Sequence, residues 1–592
     1  MAALFLFLAG GLPPPSHPPL ARKPSLPAKI LQVSSLVFPL LFLAPRLEAA
    51  PDPREAVVSA MKAELDRSMQ RLRLPGYEAP YFVSYLLRAQ EGCQVVARYG
   101  ATYTDGCGKS RATYVEVRVG DYAFDNSSPE PNSETIDLEE LEAYTPGVEG
   151  PVDDDPQALR TSLWLLTDQK YKKALTELHK RRSKRAMAVV DPDTVASFSK
   201  EPPESHRDAQ KTLGFSRPTW AERARRASAL MHKHPEIFDS IVKVTAERVV
   251  RYYVSSEGAT HVSERLIYGL HVEGAVRAAD GMYLEHERSF YADAEAGLPS
   301  EADLAAAVER LATELIALRS APALDPYSGP AILLPEAAGV FFHEALGHRL
   351  EGERLLDEKE GRTFKGQLGK PVVPRFLSVY DDPTLASALG KPLNGHYDWD
   401  DEGTRSRRVT LVEKGILRGY LKSRTPVLGD GRSNGHARAE GVADPMARMG
   451  VLVVEATEKK PYAQLKRMLL DEVRRQNKPF GLIVSDIVGG STNTSNYEYQ
   501  AFKGQARLVY KVDAKTGAET LVRGVEFVGT PLTFLNKLAA AASDRAGVFN
   551  GYCGAESGLV LTSTVAPAVL MREIELQRQR KGLARPPILG KP

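Results

Sequence analysis

Between Asp52 and Arg73 the apolar residues Ala56, Val57, Met61, Leu65, Met69 and Leu72 recur at helical spacing, which predicts an amphipathic helix. The period then shortens to two. Tyr81–Leu87, Cys93–Tyr99 and Ala112–Val119 alternate as strands, with Asp105-Gly106 offering turn chemistry. A long polar region over roughly 125–235 holds acidic Asp153–Asp155, a helical run near Trp164–His179, a basic Lys180–Lys184 patch and a Pro202-Pro203 break. A charge cluster of this kind reads as a solvated helix face. Residues 238–292 return to alternation, as in Arg248–Val254 and Leu266–Val272. A helix follows from about Glu301 to Leu318, with Ser300 as N-cap and Glu301 and Asp303 in its first turn.

Asp325-Pro326 and Gly329-Pro330 punctuate the chain, and beyond Ala331 its grain differs: short strands, many glycines, and helical stretches near 337–355 and 462–476. The fold expected is α+β. An N-terminal α/β domain spans 51–325, with a charged helical insertion at 145–235, and a β-rich C-terminal domain spans 326–592. No repeat of fixed period is present.

Residues 1–50 carry two apolar runs, Leu4–Ala9 and Leu36–Ala44, around a cationic stretch with Arg22, Lys23 and Lys29. The second run contains Pro39 and is too short to cross a bilayer of about 30 Å. With a small-residue site at Ala49-Ala50, the segment reads as a signal peptide, despite Glu48 two before Ala50. Export to the periplasm or outside is therefore expected, with a retained apolar anchor and a cytoplasmic chain as the alternatives. The long stretch ahead of the apolar core suggests a start codon downstream of Met1. No other segment offers an integral membrane span.

Lys and Arg together number 77 against 75 Asp and Glu, a net charge of +2, which is neither a nucleic-acid footprint nor an acidic tail. Hydrophobic residues at 43% and charged residues at 26% describe an ordinary globular chain. The three cysteines, Cys93, Cys107 and Cys553, rule out a disulfide scaffold and any four-thiolate site. An oxidising compartment would permit Cys93 and Cys107 to pair, leaving Cys553 single.

The sharpest chemistry lies in Phe341-Phe342-His343-Glu344-Ala345-Leu346-Gly347-His348-Arg349-Leu350-Glu351. The H-E-x-x-H spacing of zinc peptidases puts two histidines four apart on one helix face. Here they are five apart. At about 100° per residue, five steps separate the side chains by about 140°, against about 40° for four. A π-type turn would bring them back into line, and Gly347 is the residue that tolerates such a distortion. A catalytic zinc takes a third protein ligand, for which Glu351, His396, His436 and Cys553 are the candidates, Glu351 reading rather as a carboxylate behind a ligand or at the surface. Cys553 sits in the glycine-flanked Asn550–Gly558 segment, which would expose its thiolate. A His/His/Cys set suits zinc or another borderline divalent metal. Glu344 would act as general base, taking a proton from a water whose pKa the metal lowers towards about 7.

These residues resemble the TldD branch of the TldD/PmbA metallopeptidase family. The likeness runs through Leu334–Val340 into His343, Glu344 and His348, then Asp400–Thr404 with Gly415–Leu421. It continues through Gly489-Gly490, Gly529-Thr530-Pro531-Leu532 and Cys553-Gly554, and includes Arg118–Tyr122 and Asp125-Asn126 in the N-terminal half. The resemblance implies a metal on His343, His348 and Cys553 with Glu344 catalytic, and a barrel-like β domain carrying that motif. It also implies unfolded or short peptide substrates in an enclosed cavity, and a homodimer or a heterodimer with a PmbA-type subunit. The alternative is a non-catalytic peptide-binding or assembly subunit of such a dimer. Two features depart from the family's pattern: the export signal, and Ala555-Glu556-Ser557 after the cysteine. Of the remaining candidates, Asp400, Asp401 and Glu402 read as a turn cap positioning Thr404, and His436 as structural or substrate-contacting. Gly489–Asn496 reads equally as a cavity loop or a hairpin connection.

Overall fold

The structure is a computed structural model that describes residues 52–127, 149–187, 195–357, 360, 362–427, 431–492, 494 and 502–579. The signal-peptide segment lies outside the described residues, as do residues 493, 495 and 496 of the Gly489–Asn496 stretch. No described helix is long and apolar enough to cross a membrane.

The predicted N-terminal strands merge into long antiparallel ribbons. β1 (Pro80–Arg98) and β2 (Ala101–Val119) form one hairpin. Its turn is at Tyr99-Gly100, not at Asp105-Gly106. Both Tyr99 (φ 48°) and Gly100 (φ 79°) are left-handed, as a two-residue turn matched to strand twist requires. Asp105 and Gly106 lie mid-strand, opposite Val95 and Gln94. With β3 (Ser205–Arg207), β4 (Ile237–Ser255), β5 (Thr260–Arg277) and β6 (Tyr283–Ala292) they build a six-stranded sheet, ordered β2-β1-β4-β5-β3 with β6 also on β5.

Period-two alternation gives this sheet one apolar face, covered end to end by two helix pairs. At one end, α1 (Arg54–Arg71) and α2 (Pro156–Met187) bury Val57, Met61, Leu163 and Leu178 against Val83, Tyr85, Val117 and Tyr252. At the other, α3 (Arg217–Ala229) and α4 (Glu301–Ser320) bury Trp220, Leu311 and Leu315 against Val95, Val244 and Leu270. Ser300 caps α4 as expected, its side chain accepting from the Asp303 amide. The basic patch on α2 is solvated and locally paired, Lys180 with Glu177 and Arg182 with Glu78.

Residues beyond 326 form a twelve-stranded sheet. In chain order its main elements are β7 (Tyr327–Leu333), α5 (Pro335–Phe342), β8 (Leu377–Asp381), β9 (Val409–Glu413), β10 (Ile416–Leu417) and β11 (Val451–Ala456). Then come α6 (Tyr462–Arg475), β12 (Phe480–Thr492), β13 (Phe502–Asp513), β14 (Val525–Gly529), β15 (Leu538–Ala555) and β16 (Gly558–Arg578). The strand path is β10-β9-β8-β11-β16-β14-β13-β12-β7, and β7 pairs back onto β16. Five strands thus close a ring inside a larger open sheet, in a C-terminal part that is β-rich as expected. Alternate residues of β7 separate two cores. Ala331 and Leu333 meet α5, whereas Ile332 meets Leu465, Leu469 and Val473 of α6. Every α5 residue but Glu336 is buried, which explains a helix apolar all round.

Candidate metal centre

α5 ends at Phe342, and the chain then makes a π turn over His343–Gly347 and a 3₁₀ turn over His348–Leu350. This is the distortion that the five-residue histidine spacing demands. Gly347, however, is ordinary right-handed helix (φ −56°, ψ −56°). Its side chain is excluded by space: a Cβ there would lie 1.9 Å from Met449 Sδ. Glycine here serves packing, not conformational freedom.

Cys553 lies near the end of β15, opposite Val560 of β16. It is buried, at 3% exposure, where the sequence suggested an exposed thiolate in a turn. The strand directs its sulfur into the core that encloses the π turn. One ligand atom each from His343, His348 and Cys553 lie within 4.8 Å of one another, and Cys553 Sγ is 3.3 Å from His348 Nε2. A tetrahedral zinc with bonds of about 2.1 Å to nitrogen and 2.3 Å to sulfur sets its donors about 3.5 Å apart. His343 Nδ1 is buried without a hydrogen-bond partner. The donor chemistry and spacing therefore fit a borderline divalent ion.

The three groups are electrostatically coupled to one another. Burial opposes charge on Cys553, but the imidazoles of His348 and His343 hold its thiol well below the usual range. Burial likewise opposes charge on His348, and the Cys553 sulfur and the Glu351 carboxylate raise its pKa well above that of a free imidazole. His343 is raised against burial by Cys553.

The neighbouring carboxylates divide the other roles. Glu344 Oε2 is 4.0 Å from His348 Nε2, on the ligand side of the ring. Gly490 of β12 packs against it so closely that a Cβ would meet Glu344 Cγ at 2.4 Å. Arg349 donates to the Glu344 carbonyl and to Thr492 Oγ1, both at 2.8 Å, tying the π turn to the end of β12. Glu351, a candidate third ligand by sequence, instead takes His348 Nδ1 at 3.1 Å and Arg354 Nε at 2.9 Å. That contact fixes the ring and leaves Nε2 towards the sulfur. Arg354 reaches on to Glu556 at 2.9 and 2.7 Å, giving the unusual Ala555-Glu556-Ser557 continuation a structural task.

The other candidates stand apart. His436 is fully buried between Asp381 (3.2 Å) and Asn434 (3.0 Å), and His396 Nδ1 contacts the Pro383 carbonyl at 2.8 Å. Asp400 accepts from the amides of Glu402, Thr404 and Ala437 and so caps the turn. Asp401 ties that turn to the N-terminal sheet through Arg88 (3.1 Å) and Arg251 (2.9 Å). A groove of about 210 Å³, lined among others by Asp239, Glu273, Glu285, Glu287, Val488 and Arg507, includes none of the motif residues.

Residues 326–578 match the PmbA/TldA metallopeptidase C-terminal domain. Over this stretch the chain is similar to that family. Among curated relatives, a metalloprotease of Archaeoglobus fulgidus is 32% identical over 256 residues, 42% of this chain and 54% of that protein. A zinc metalloprotease TldD homolog of Saccharolobus solfataricus is 26% identical over 249 residues, 42% of this chain and 51% of that protein. The chain spans about half the length of the curated relatives that it matches. The crystal structure of TldE from Thermococcus kodakarensis aligns with 89% of this chain and 100% of its own, at a TM-score of 0.56 and 13% identity, a likeness of fold. Within this PmbA/TldD frame, sequence reading passed over Arg448, Arg354 and Met449, whose surroundings carry no motif. Gly490 stood out there as part of a family-like glycine pair and a loop, not as a contact of Glu344.

Proposed function

We propose that this chain is a metal-dependent peptidase in which His343, His348 and Cys553 hold one divalent ion, zinc, and Glu344 is the general base. The observation that carries the reading is the convergence of two imidazoles and a thiol, all buried, from segments 205 residues apart, with a carboxylate beside them. The ion, when bound, supplies Lewis-acid polarisation of the scissile carbonyl and acidifies water. Glu344 accepts the proton of the attacking water and returns it to the leaving amine. Gly490 and the π turn hold the carboxylate in place. Burial of all four side chains keeps bulk water from the site.

The substrates in this reading are unfolded or short peptides entering an enclosed cavity, and the working unit is a dimer of this chain or one with a PmbA-type subunit. Export is part of the proposal. The Cys93–Cys107 disulfide, formed between directly opposed residues of β1 and β2, supports it, since such bonds persist in oxidising compartments.

The test is Glu344→Gln in the full chain. We expect the variant to keep its metal and lose about 10²–10⁴ in turnover of unfolded peptides. Wild-type protein that carries metal yet cleaves no peptide, as monomer or mixed with a PmbA-type subunit, would favour the assembly-subunit reading.

A further inference from the structure

Arg448 has no exposed surface, and both terminal nitrogens of its guanidinium are hydrogen-bonded to the segment that bears Cys553. Nη2 donates to the Cys553 carbonyl at 2.6 Å. Nη1 donates to Ser557 Oγ at 2.8 Å and to the Gly558 carbonyl at 3.1 Å. Nε faces Glu351 Oε1 at 3.5 Å, and the other oxygen of Glu351 takes His348 Nδ1 at 3.1 Å. Since Cys553 Sγ lies 3.3 Å from His348 Nε2, the contacts close a ring. Thiol, imidazole, carboxylate and guanidinium follow in turn, back to the backbone of the residue that carries the thiol.

We propose that Arg448 is a positioning residue that sets metal affinity by fixing the Cys553 strand end against the His348 turn. The proposal rests on the His343/His348/Cys553 ligand set above. Cys553 lies two residues from a two-residue hairpin tip, and no covalent link holds that tip to the π turn. Arg448 comes from a third segment, between β10 and β11, and its planar fork presents several donors in fixed directions. One rigid group thus orients His348, through Glu351, and the Cys553 backbone. Glu440 supports the same tip from its outer side, accepting from the Leu559 amide at 2.8 Å, but it reaches neither ligand's immediate partners. A guanidinium that merely filled the core would change stability when removed, and would leave the affinity of the folded protein for metal unchanged.

The experiment compares wild type, Arg448→Met, Arg448→Lys and His343→Ala in the full chain. Zinc affinity is read by chelator competition, and the cobalt-substituted protein by its thiolate-to-cobalt absorption band. Arg448→Met is expected to weaken zinc binding about 10–100-fold and diminish the cobalt–thiolate band at a temperature where circular dichroism shows it folded. Arg448→Lys, with a single ammonium, should recover part of that loss. Folded Arg448→Met with wild-type affinity and an unchanged band overturns the proposal. If Arg448→Met does not fold, Ser557→Ala, which removes one acceptor and keeps the guanidinium, should shift affinity in the same direction; unaltered affinity there overturns it equally. His343→Ala separates the two levels. Retention of zinc by that variant refutes the ligand set itself, whereas its loss alongside full binding by Arg448→Met refutes only the positioning role.

Discussion

A methyl group added at Gly490 would stand 2.4 Å from Glu344 Cγ and 2.9 Å from Glu344 Oε1. Gly490→Ala is therefore expected to displace the carboxylate and to reduce peptide turnover at least tenfold while metal content stays at the wild-type level. Parallel kinetics and elemental analysis check both halves. Gly347→Ala meets Met449 instead and should cost about 1–3 kcal/mol in stability, read as a fall in Tm. At this scale the sequence is informative where chemistry is rare. Two histidines around a glutamate and a solitary thiol mark themselves out in a chain with 12 histidines and 3 cysteines. The residues that orient them, Arg448 among 77 basic side chains, have no such mark, because their role comes from partners about a hundred positions away.

The π turn was legible before any coordinates, since five-residue spacing and a shared ligand direction are incompatible on a regular helix. Deleting Ala345 to restore the four-residue spacing is expected to abolish metal binding rather than improve it, because Glu351 and Arg349 would leave their partners; isothermal titration with zinc reads the outcome. The long hairpins were less legible. Polar and glycine residues at 90–92 and 105–108 suggested breaks, yet β1 and β2 continue through them, β2 paired on β1 and β1 on β4, a pairing that no local pattern announces.

The contact between β5 and the Trp399 loop carries a pH dependence. His261 is 3% exposed and stacks on Trp399 at 4.0 Å, with the Tyr253 ring 5.9 Å away. Burial pushes its pKa down to about 4, and His206 and Arg251 also disfavour its charge. Because the folded value lies below the unfolded one, the stabilisation is complete above pH 6.5 and is lost as pH falls towards 4. At most about 3 kcal/mol is involved. His261→Phe should flatten the slope of Tm against pH over that interval, and an unchanged slope would count against it.

Across the whole molecule, the two sheets are joined by buried charge as well as apolar packing. Removing the Asp401 charge with Asn leaves Arg88 and Arg251 without their carboxylate and is expected to cost about 3–5 kcal/mol, visible as a shifted urea midpoint. Cys93→Ala should remove about 3 kcal/mol of stabilisation from a 14-residue crosslink and leave metal binding intact. That contrast between cysteines restates the division already visible in their odd number: two brace a hairpin, one serves the site. The α+β class was readable from periodicity, whereas the closed ring of five strands depends on β7 pairing with both β12 and β16, a long-range choice that short strands do not encode.

The central claim is that His343, His348 and Cys553 hold one metal ion. Elemental analysis of the purified full chain, beside Cys553→Ala prepared identically, tests it most directly. The account predicts about one divalent ion per wild-type chain and a large loss in the variant with its fold preserved. Equal metal content in the two, or a metal-free wild type that takes up no zinc, would contradict it.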